Sequence, residues 1–490
     1  MSALAAPRLD ASALPKLRAH LLGAPWAPPG IGIVHLGLGN FHRAHQALYT
    51  EEAMLAAGGQ WGICGVIMRG SQAKQASFRA QDGLYTLLER GPEGIGARVV
   101  RSLRETLLLP TDAQALLARL CDPAVRIVSL TVTEKGYCLD RRTDALDTTR
   151  PEVQHDLAHP LQPLSVPGVL VAALAQRRRN PFALMSCDNL PHNGATLRKL
   201  LVQFARLRDA ALADWIAETV AFPSTMVDRI TPATVPADID DATRLLGYAD
   251  ALAVSCEPFR QWVVEDRFPL GRPAWEQAGA QLVADVAPYE QAKLRMLNGT
   301  HSAIAYLSML AGFATVDQAM AHAPLHALIH AMLTEEVTPT LDVPARFDRG
   351  GYRDALLQRF ANPALKHACA QIAMDGSQKL PQRLVAPLGE HLAAGKLARR
   401  MVLAVGAWMQ FVHDAARHGA PDALPDPMHE RLIALARTAG DSPAALAEAL
   451  LGVREIFSPA LAASPVLTRA LAEAVAALRT NAREAIAQYR

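Results

Sequence analysis

Short runs of apolar, largely β-branched residues alternate with longer segments of helical spacing over the first half of the 490-residue chain. Fully apolar runs are typical of strands in a parallel sheet, because the connecting helices bury both faces of such a sheet. The pattern therefore predicts an α/β fold with a doubly wound sheet. The four runs are GIGIVHLGLG, WGICGVIM, VRIVSLTVTE and PFALMSCDN, beginning at residues 30, 61, 125 and 181.

After about residue 285 the helical spacing continues, but strand candidates become rare. The stretch LAAGKLARRMVLAVGAWMQFVHDAARHG is typical of this half of the chain. Its most apolar part, MVLAVGAWMQFV, is much shorter than the roughly 18 residues that a membrane span needs, so it predicts a buried helix. We predict two domains, an α/β domain over 1–285 and a mainly α-helical domain over 286–490.

Composition places the chain among ordinary globular proteins, with 50% apolar and 20% charged residues. The net charge of +2, without long runs of one sign, gives no reason to expect nucleic acid or a membrane surface as a partner. Six scattered cysteines form no C-x-x-C pair, and the N-terminus lacks a signal-peptide pattern. We therefore expect a cytoplasmic protein with reduced thiols.

The first apolar run leads into a glycine turn, Gly37-x-Gly39, with Phe41 close behind it. Glycines at a strand-to-helix turn let a dinucleotide pyrophosphate approach backbone N–H groups, so Gly37, Gly39 and Phe41 are candidate cofactor-binding residues. His42 occupies the position of the third glycine of the usual G-x-G-x-x-G pattern. His42 and His45 have no third ligand at a familiar spacing, and we predict no metal site.

The second run ends at Met68, and many dinucleotide-binding proteins carry just after this strand an acidic residue that bonds the ribose of NAD. This chain instead has Arg69, followed by Ser71, Gln72 and Lys74. No carboxylate would repel a 2′-phosphate, so the predicted cofactor is NAD or NADP, with Arg69 as a further cofactor-binding candidate.

The stretch KLRMLNGTHS carries the candidate catalytic groups Lys293, Asn298 and His301. On an α-helix, with Lys293 at zero, His301 would project at about 80° and Asn298 at about 140°, so all three could line one side. A buried lysine whose pKa is lowered can act as the base that takes the hydroxyl proton while a nicotinamide oxidises a secondary alcohol. Asn298 and His301 would then donate hydrogen bonds to the substrate oxygen.

Seven segments of the chain, in order, resemble the polyol-specific long-chain dehydrogenases of the mannitol dehydrogenase family. The resemblance implies NAD(P)-dependent, metal-independent chemistry, with a Rossmann-type domain before a helical domain. The family includes mannitol 2-dehydrogenase, arabinitol dehydrogenase and fructuronate reductase (D-mannonate oxidoreductase). The segments are VHLGLGNFHRAHQALYTEEAM, SLTVTEKGYC, MSCDNLPHNG, TMVDRITPA, CEPFRQWVVEDRF, KLRMLNGTHS and QIAMDGSQKLPQR.

The resemblance also implies roles for single residues. Lys293 is the general base, Asn189 and Asn298 form the oxyanion hole, and His301 orients the substrate. Asp228 and Lys379 match further positions near the substrate. The family leans towards a monomer or weak homo-oligomer.

Two arginines bring the pattern closer to fructuronate reductases than to mannitol 2-dehydrogenases, namely Arg295 and Arg260. A guanidinium can hold the terminal carboxylate of a uronate in a bidentate pair, which makes both arginines candidate substrate-binding residues. Arg295 projects at about 200° on an α-helical wheel, about 60° beyond Asn298, which is compatible with a place at the rim of the predicted site or with packing elsewhere. We predict interconversion of D-mannonate and D-fructuronate.

Other functions are compatible with parts of the sequence. Oxidation of mannitol or arabinitol is the nearest alternative, and a non-catalytic sugar- or nucleotide-binding protein is more distant. Tyr289 and Lys293 have the Y-x3-K spacing of short-chain dehydrogenases, but the serine that those enzymes need upstream is missing, since position 276 is Glu276. The sequence contains no G-x-S-x-G motif of the kind that would indicate a hydrolase.

Overall fold

The computed structural model describes residues 6–23, 27–109, 111–140, 143–345, 347–364, 366–418 and 424–489. The chain divides into two compact units, Met1–Ala287 and Pro288–Arg490. Each unit has its own hydrophobic core.

A parallel sheet organises the first unit and confirms the predicted α/β fold. The four predicted runs each contain one of its strands. The sequence pattern missed Leu103–Leu108, an edge strand whose polar residues interrupt the apolar run. In spatial order the strands are Leu103–Leu108, Gly62–Ile67, Ile31–Leu36, Ile127–Leu130 and Ala183–Ser186.

Alternate residues of each strand enter separate cores on the two faces of this sheet. Val34 and Leu36 join one core, whereas Ile33 joins the other. The first core is covered by helices, and the second packs against Gln46–Ala57 and the aromatic rings of Trp262 and Trp275. Burial on both faces explains why these strands are continuously apolar.

Helices and two smaller sheets complete the first unit. One small sheet orders Thr225–Asp228, Gln261–Glu265 and Gln281–Val283, and the other Val254–Cys256, Tyr85–Gly91 and Gly94–Val100. The short strands Leu139–Asp140 and Ala145–Leu146 pair separately. The α-helices are Ala19–Leu22, Asn40–Ala44, Gln46–Ala57, Gln72–Ala80, Ala113–Cys121, Thr133–Gly136, Pro151–Ala158, Val166–Gln176, Asn193–Arg206, Ala210–Thr219 and Pro236–Leu246, with 3-10 turns at Ala11–Lys16 and Trp275–Ala278. A further helix, Ala287–Ala292, begins at the last residue of the first unit and continues into the second.

The second unit is helical throughout, apart from loops and the isolated bridge between Thr315 and Ala368. Within the described ranges, no helix is both long and apolar enough to traverse a lipid bilayer. The α-helices of the second unit are Thr300–Ala311, Val316–Ala321, Ala323–Ala331, Arg349–Phe360, Cys369–Ile372, Gly376–Leu380, Ala386–Ala393, Arg399–His418, His429–Ala439, Pro443–Leu451, Pro459–Ala462 and Pro465–Gln488.

Three π-helical segments interrupt this helical unit, at Lys293–Gly299, Met332–Val337 and Pro381–Val385. The α-helical wheel predicted for KLRMLNG is therefore wrong, because a π-helix joins residues five apart rather than four. π-helical segments are rare in proteins, and those that do occur are often found at functional sites. The α-helical wheel applies only from Thr300 onward.

Candidate active site

A cleft of about 420 Å³ lies at the carboxyl edge of the parallel sheet in the first unit. The chain winds outward in one direction from Ile31–Leu36 and in the other from Ile127–Leu130, so the order reverses between these two strands. Ligands of doubly wound folds bind at such a reversal. The cleft is lined by residues at and just after the ends of three strands, namely Gly37, Leu38 and Gly39, then Ile67, Met68 and Arg69, and then Thr131, Val132, Thr133, Lys135 and Gly136.

Gly37 is the one position of the turn where a side chain is sterically excluded. Its φ is +97°, and a Cβ atom would lie 2.1 Å from the carbonyl oxygen of Thr131. The N–H groups of Gly37 and Leu38 both donate to the Val66 carbonyl at 2.9 Å, which fixes the turn against the second strand. A Cβ atom on Gly39 would make only an ordinary contact, 3.7 Å from the Gly37 carbonyl oxygen, and Gly39 is the N-cap residue of the helix Asn40–Ala44. The narrow turn and the adjacent cleft fit a dinucleotide.

The remaining cofactor candidates differ in position. Arg69 lines the cleft with a side chain that is 75% exposed and lies 3.9 Å from Glu152. Phe41 does not line the cleft, because its ring stacks on His45 with the centroids 5.0 Å apart. Glu152 was not predicted from the sequence, since it lies far along the chain from the glycine turn.

Asp188 connects the cleft to the predicted oxyanion-hole residue Asn189. Its carboxylate accepts hydrogen bonds from the backbone N–H groups of Val132 and Thr133, each at 3.0 Å, and from the Tyr137 hydroxyl at 2.8 Å. Burial raises the pKa of Asp188, and these hydrogen bonds oppose that rise. Asn189 follows directly and is exposed in its unit.

Asp228 and Arg260 lie on the small sheet of the first unit. Asp228 is buried at the end of its strand, opposite Gln261. Arg260 forms an ion pair with Glu52 and stacks over the Tyr49 ring, 4.5 Å from its centroid. The guanidinium of Arg260 is thus already engaged by an internal carboxylate, contrary to what a substrate-carboxylate anchor requires.

In the second unit, the π-helical segment places Lys293 and Asn298 one turn apart on the same face. Lys293 is buried, and Asn298 is half-buried. The segment approaches a second π-helical segment so closely that a Cβ atom on Gly299 would lie 2.6 Å from the Arg383 carbonyl oxygen. A glycine at this position therefore sets the spacing between the two segments.

His301 lies in the same unit, in a cluster that also contains Arg359, His367, Lys379 and Arg383. The His301 ring lies 4.6 Å from that of Phe360 and 5.4 Å from that of His367. Burial, followed by the charges of His367, Arg359 and Arg383, holds the pKa of His301 well below its ordinary value, so the ring is neutral near pH 7. Burial and Arg383 also lower the pKa of Lys379, whose Nζ donates to the Ile372 carbonyl at 3.3 Å.

The contacts of Arg295 differ from those expected of a residue that binds a substrate carboxylate. Its Nη1 and Nη2 donate to the two carboxylate oxygens of Glu390 at 2.7 and 2.5 Å, and Nη1 also donates to the Thr340 carbonyl at 2.6 Å. This bidentate pair satisfies the planar fork of the guanidinium. These contacts do not support the substrate-carboxylate role predicted for Arg295, because Glu390 already occupies its guanidinium. The α-helical wheel could not reveal this partner.

Arg383 is a residue of this cluster that the sequence analysis did not single out. It stands four residues after Lys379 in DGSQKLPQR, and its Nη1 donates to the Asn298 carbonyl at 3.4 Å and to the Ser302 hydroxyl at 3.2 Å. The four-residue spacing of Lys379 and Arg383 could have indicated that both cations lie on one side of a helix. The contact between Arg383 and Asn298 becomes visible only in the folded chain.

Metal ligation finds no support in the part of the chain that the structure describes. No group of three or more His, Cys, Asp or Glu residues is placed to hold an ion there. His42 instead stacks on His35, with ring centroids 3.4 Å apart.

Comparison with known proteins gives matches over both units. The sequence model of the mannitol dehydrogenase Rossmann domain matches residues 31–277, and that of the mannitol dehydrogenase C-terminal domain matches residues 285–479. D-mannonate oxidoreductase of Escherichia coli strain K12 is 43% identical over 87% of this chain and 88% of its own length. An uncharacterised oxidoreductase of the same strain is 45% identical over 90% of this chain and 91% of its own.

A solved structure extends the similarity to the three-dimensional level. Pseudomonas fluorescens mannitol 2-dehydrogenase, in ternary complex with NAD and D-mannitol, is 40% identical with a TM-score of 0.83. The match covers 98% of this chain and 99% of the other. From the two domain matches and these relatives it follows that the chain is an oxidoreductase of the mannitol dehydrogenase family.

Proposed function

We propose that this oxidoreductase uses NAD or NADP to interconvert D-mannonate and D-fructuronate, with Lys293 as the general base and without a catalytic metal. The observation that carries the chemistry is the π-helical turn, which presents buried Lys293 and half-buried Asn298 on one face. The 43% identity to a D-mannonate oxidoreductase supports the substrate pair. The tight turn at Gly37 and the 420 Å³ cleft beside it support the cofactor.

In this mechanism Lys293 accepts the hydroxyl proton of the substrate as the carbinol carbon is oxidised. Asn189 and Asn298 donate side-chain N–H groups to the oxygen, where negative charge develops. The nicotinamide, when bound, supplies the hydride acceptor. Reduction of the ketone reverses these steps, with Lys293 returning the proton to the oxygen.

The other predicted residues position the substrate. His301 is neutral, so it can donate one hydrogen bond and accept another along the open-chain substrate. Asp228 accepts hydrogen bonds from substrate hydroxyls, and Lys379 donates to them. These assignments rest on matching family positions together with the burial of Asp228 and the place of Lys379 beside Arg383.

Mannitol or arabinitol oxidation is the second candidate function. It is favoured by the solved relative at 40% identity, which holds D-mannitol in its ternary complex. The two functions differ in whether a substrate carboxylate is needed. A non-catalytic sugar- or nucleotide-binding protein is disfavoured by the intact Lys293, Asn298 and His301.

The test is oxidation of NADH and NADPH, followed by absorbance, with D-fructuronate and D-fructose offered separately to the purified protein. We expect turnover with fructuronate and little with fructose; preference for fructose would replace the proposed substrate by mannitol. Lys293→Ala should lower kcat by about 100-fold or more, as loss of a general base does. Unchanged kcat in a folded Lys293→Ala protein would refute the lysine mechanism.

A further inference from the structure

The two arginines predicted to bind a substrate carboxylate both have internal acidic partners. Arg295 is paired with Glu390 inside the second unit, and Arg260 with Glu52 inside the first. An arginine that must receive a carboxylate from solution cannot at the same time give its planar fork to a protein carboxylate. The question is which other cation of the site can serve this purpose.

The surroundings of Arg383 differ from those of Arg295 and Arg260. Among the residues that the structure describes, no carboxylate lies within ion-pair distance of its guanidinium. Its hydrogen bonds to the Asn298 carbonyl and the Ser302 hydroxyl both use Nη1 and are long, at 3.4 and 3.2 Å. Nη2 and Nε are not fully buried and remain in contact with solvent.

The charges near Arg383 leave an excess of positive charge. Lys379 and His301 both experience the charge of Arg383. Of the nearby acids, Asp375 lies 3.9 Å from Lys379, and Asp426 accepts hydrogen bonds from Ser377. Burial lowers the pKa of Arg383 to about 10, so the group remains charged near pH 7. A partly buried cation without a carboxylate is costly unless an anion compensates it.

We propose that Arg383 binds the terminal carboxylate of an open-chain sugar acid. The inference rests on the proposed function and deepens it, because it names the residue that selects an acid over a polyol. Arg383 touches the backbone of Asn298, whose side chain is proposed to hold the reacting oxygen. One residue thus links recognition of the acid end to the reacting end of the substrate.

A purely structural role would be the alternative, with Arg383 only tying the π-helical segment to Ser302. The two roles differ in their effect on neutral ligands. A structural tie supports every ligand equally, whereas a carboxylate anchor acts only on acids. Binding of D-mannonate and D-mannitol, which differ in one terminal carboxylate, separates the two.

The experiment is titration calorimetry of each ligand into the wild type, Arg383→Gln, Arg383→Lys and Arg295→Gln, with NADH present so that no alcohol is oxidised. We expect Arg383→Gln to weaken D-mannonate by about 10-fold to 100-fold and D-mannitol by less than about 3-fold. Arg383→Lys keeps the charge but loses the fork, so its loss should be intermediate. Arg295→Gln should not discriminate between the ligands.

Equal weakening of both ligands, no weakening, or a selective loss in Arg295→Gln instead would overturn the assignment. If Arg383→Gln fails to fold, the mannonate-to-mannitol ratio of Arg383→Lys decides the matter. The proposed function fails separately, through absence of fructuronate turnover by the wild type, because the calorimetry involves no turnover.

Discussion

Thr133 donates its backbone N–H to the Asp188 carboxylate at 3.0 Å while its own φ is +60°. A β-branched residue rarely adopts this left-handed conformation, which costs roughly 1–2 kcal/mol. The charge-assisted hydrogen bond offsets this cost and fixes the loop that lines the cofactor cleft. Asp188 is therefore a positioning residue between that cleft and Asn189.

Asp188→Asn should raise KM for NADH by about 5-fold to 30-fold, since an amide replaces an ionised acceptor and loses roughly 1–2 kcal/mol. Steady-state kinetics with varied NADH will measure the change. The control is Tyr137→Phe, which removes the hydroxyl bond to Asp188 but leaves both backbone bonds in place. An unchanged KM in Asp188→Asn would show that the loop holds its shape without the charge.

Gly299→Ala should destabilise the protein by about 1–3 kcal/mol, because the new methyl group meets the Arg383 carbonyl oxygen at 2.6 Å. The backbone must move, and we expect kcat to fall by about 10-fold or more as Lys293 and Asn298 shift. Chemical denaturation and steady-state turnover measure the two effects.

Gly389→Ala is the matched control, since its methyl group would lie 3.8 Å from the Leu461 side chain, at ordinary contact distance. Gly389 lies inside the helix Ala386–Ala393, where alanine is favoured by about 1 kcal/mol. This variant should be as stable as the wild type or more so. Full activity in Gly299→Ala would mean that the spacing of the two π-helical segments is unimportant.

Much of the fold was accessible from the sequence because burial on both sheet faces imposes uninterrupted apolar runs. The strand Leu103–Leu108 escaped detection because an edge position tolerates Arg104 and Glu105. The candidate lysine segment was found from residue types, but its geometry was predicted with the wrong helical period. A K-x4-N spacing suits a π-helix, yet propensity alone does not distinguish that helix from an α-helix.

Partners distant in sequence were the other limit of the prediction. Glu390 lies 95 residues from Arg295, and nothing local indicates that the two side chains pair. The same holds for Glu52 and Arg260, which are 208 residues apart. Without these partners, a sequence pattern cannot tell an available arginine from a neutralised one, and Arg383 was overlooked for the same reason.

Arg69 should support the use of NADPH. Its side chain is 75% exposed at the cleft, and its one ion pair among the residues that the structure describes is a 3.9 Å contact with Glu152, so it can turn towards a 2′-phosphate. Arg69→Ala should lower kcat/KM for NADPH by about 10-fold more than for NADH. Arg79→Ala, which removes another exposed arginine from outside this cleft, is the control. Equal effects on both cofactors would contradict the assignment.

His42 and His35 should make the stability of the first unit depend on pH. Their rings stack within 3.4 Å, and burial lowers the pKa of His35 to about 3 and that of His42 well below its ordinary value. Both are neutral in the folded state, whereas the unfolded chain protonates them below about pH 6.5. The unfolded state then binds more protons, so stability falls as pH falls, by about 1.4 kcal/mol per pH unit for each ring.

His42→Phe keeps a stacked ring that cannot take a proton, so its unfolding free energy should depend less steeply on pH than that of the wild type. We expect the slope between about pH 6 and pH 5 to decrease by roughly 1.4 kcal/mol per pH unit, measured by urea denaturation. His20→Phe, at an exposed position of the same unit, should keep the wild-type slope. If His42→Phe and the wild type share one slope, His42 must take up its proton in the folded state, and the stack would have to open to solvent.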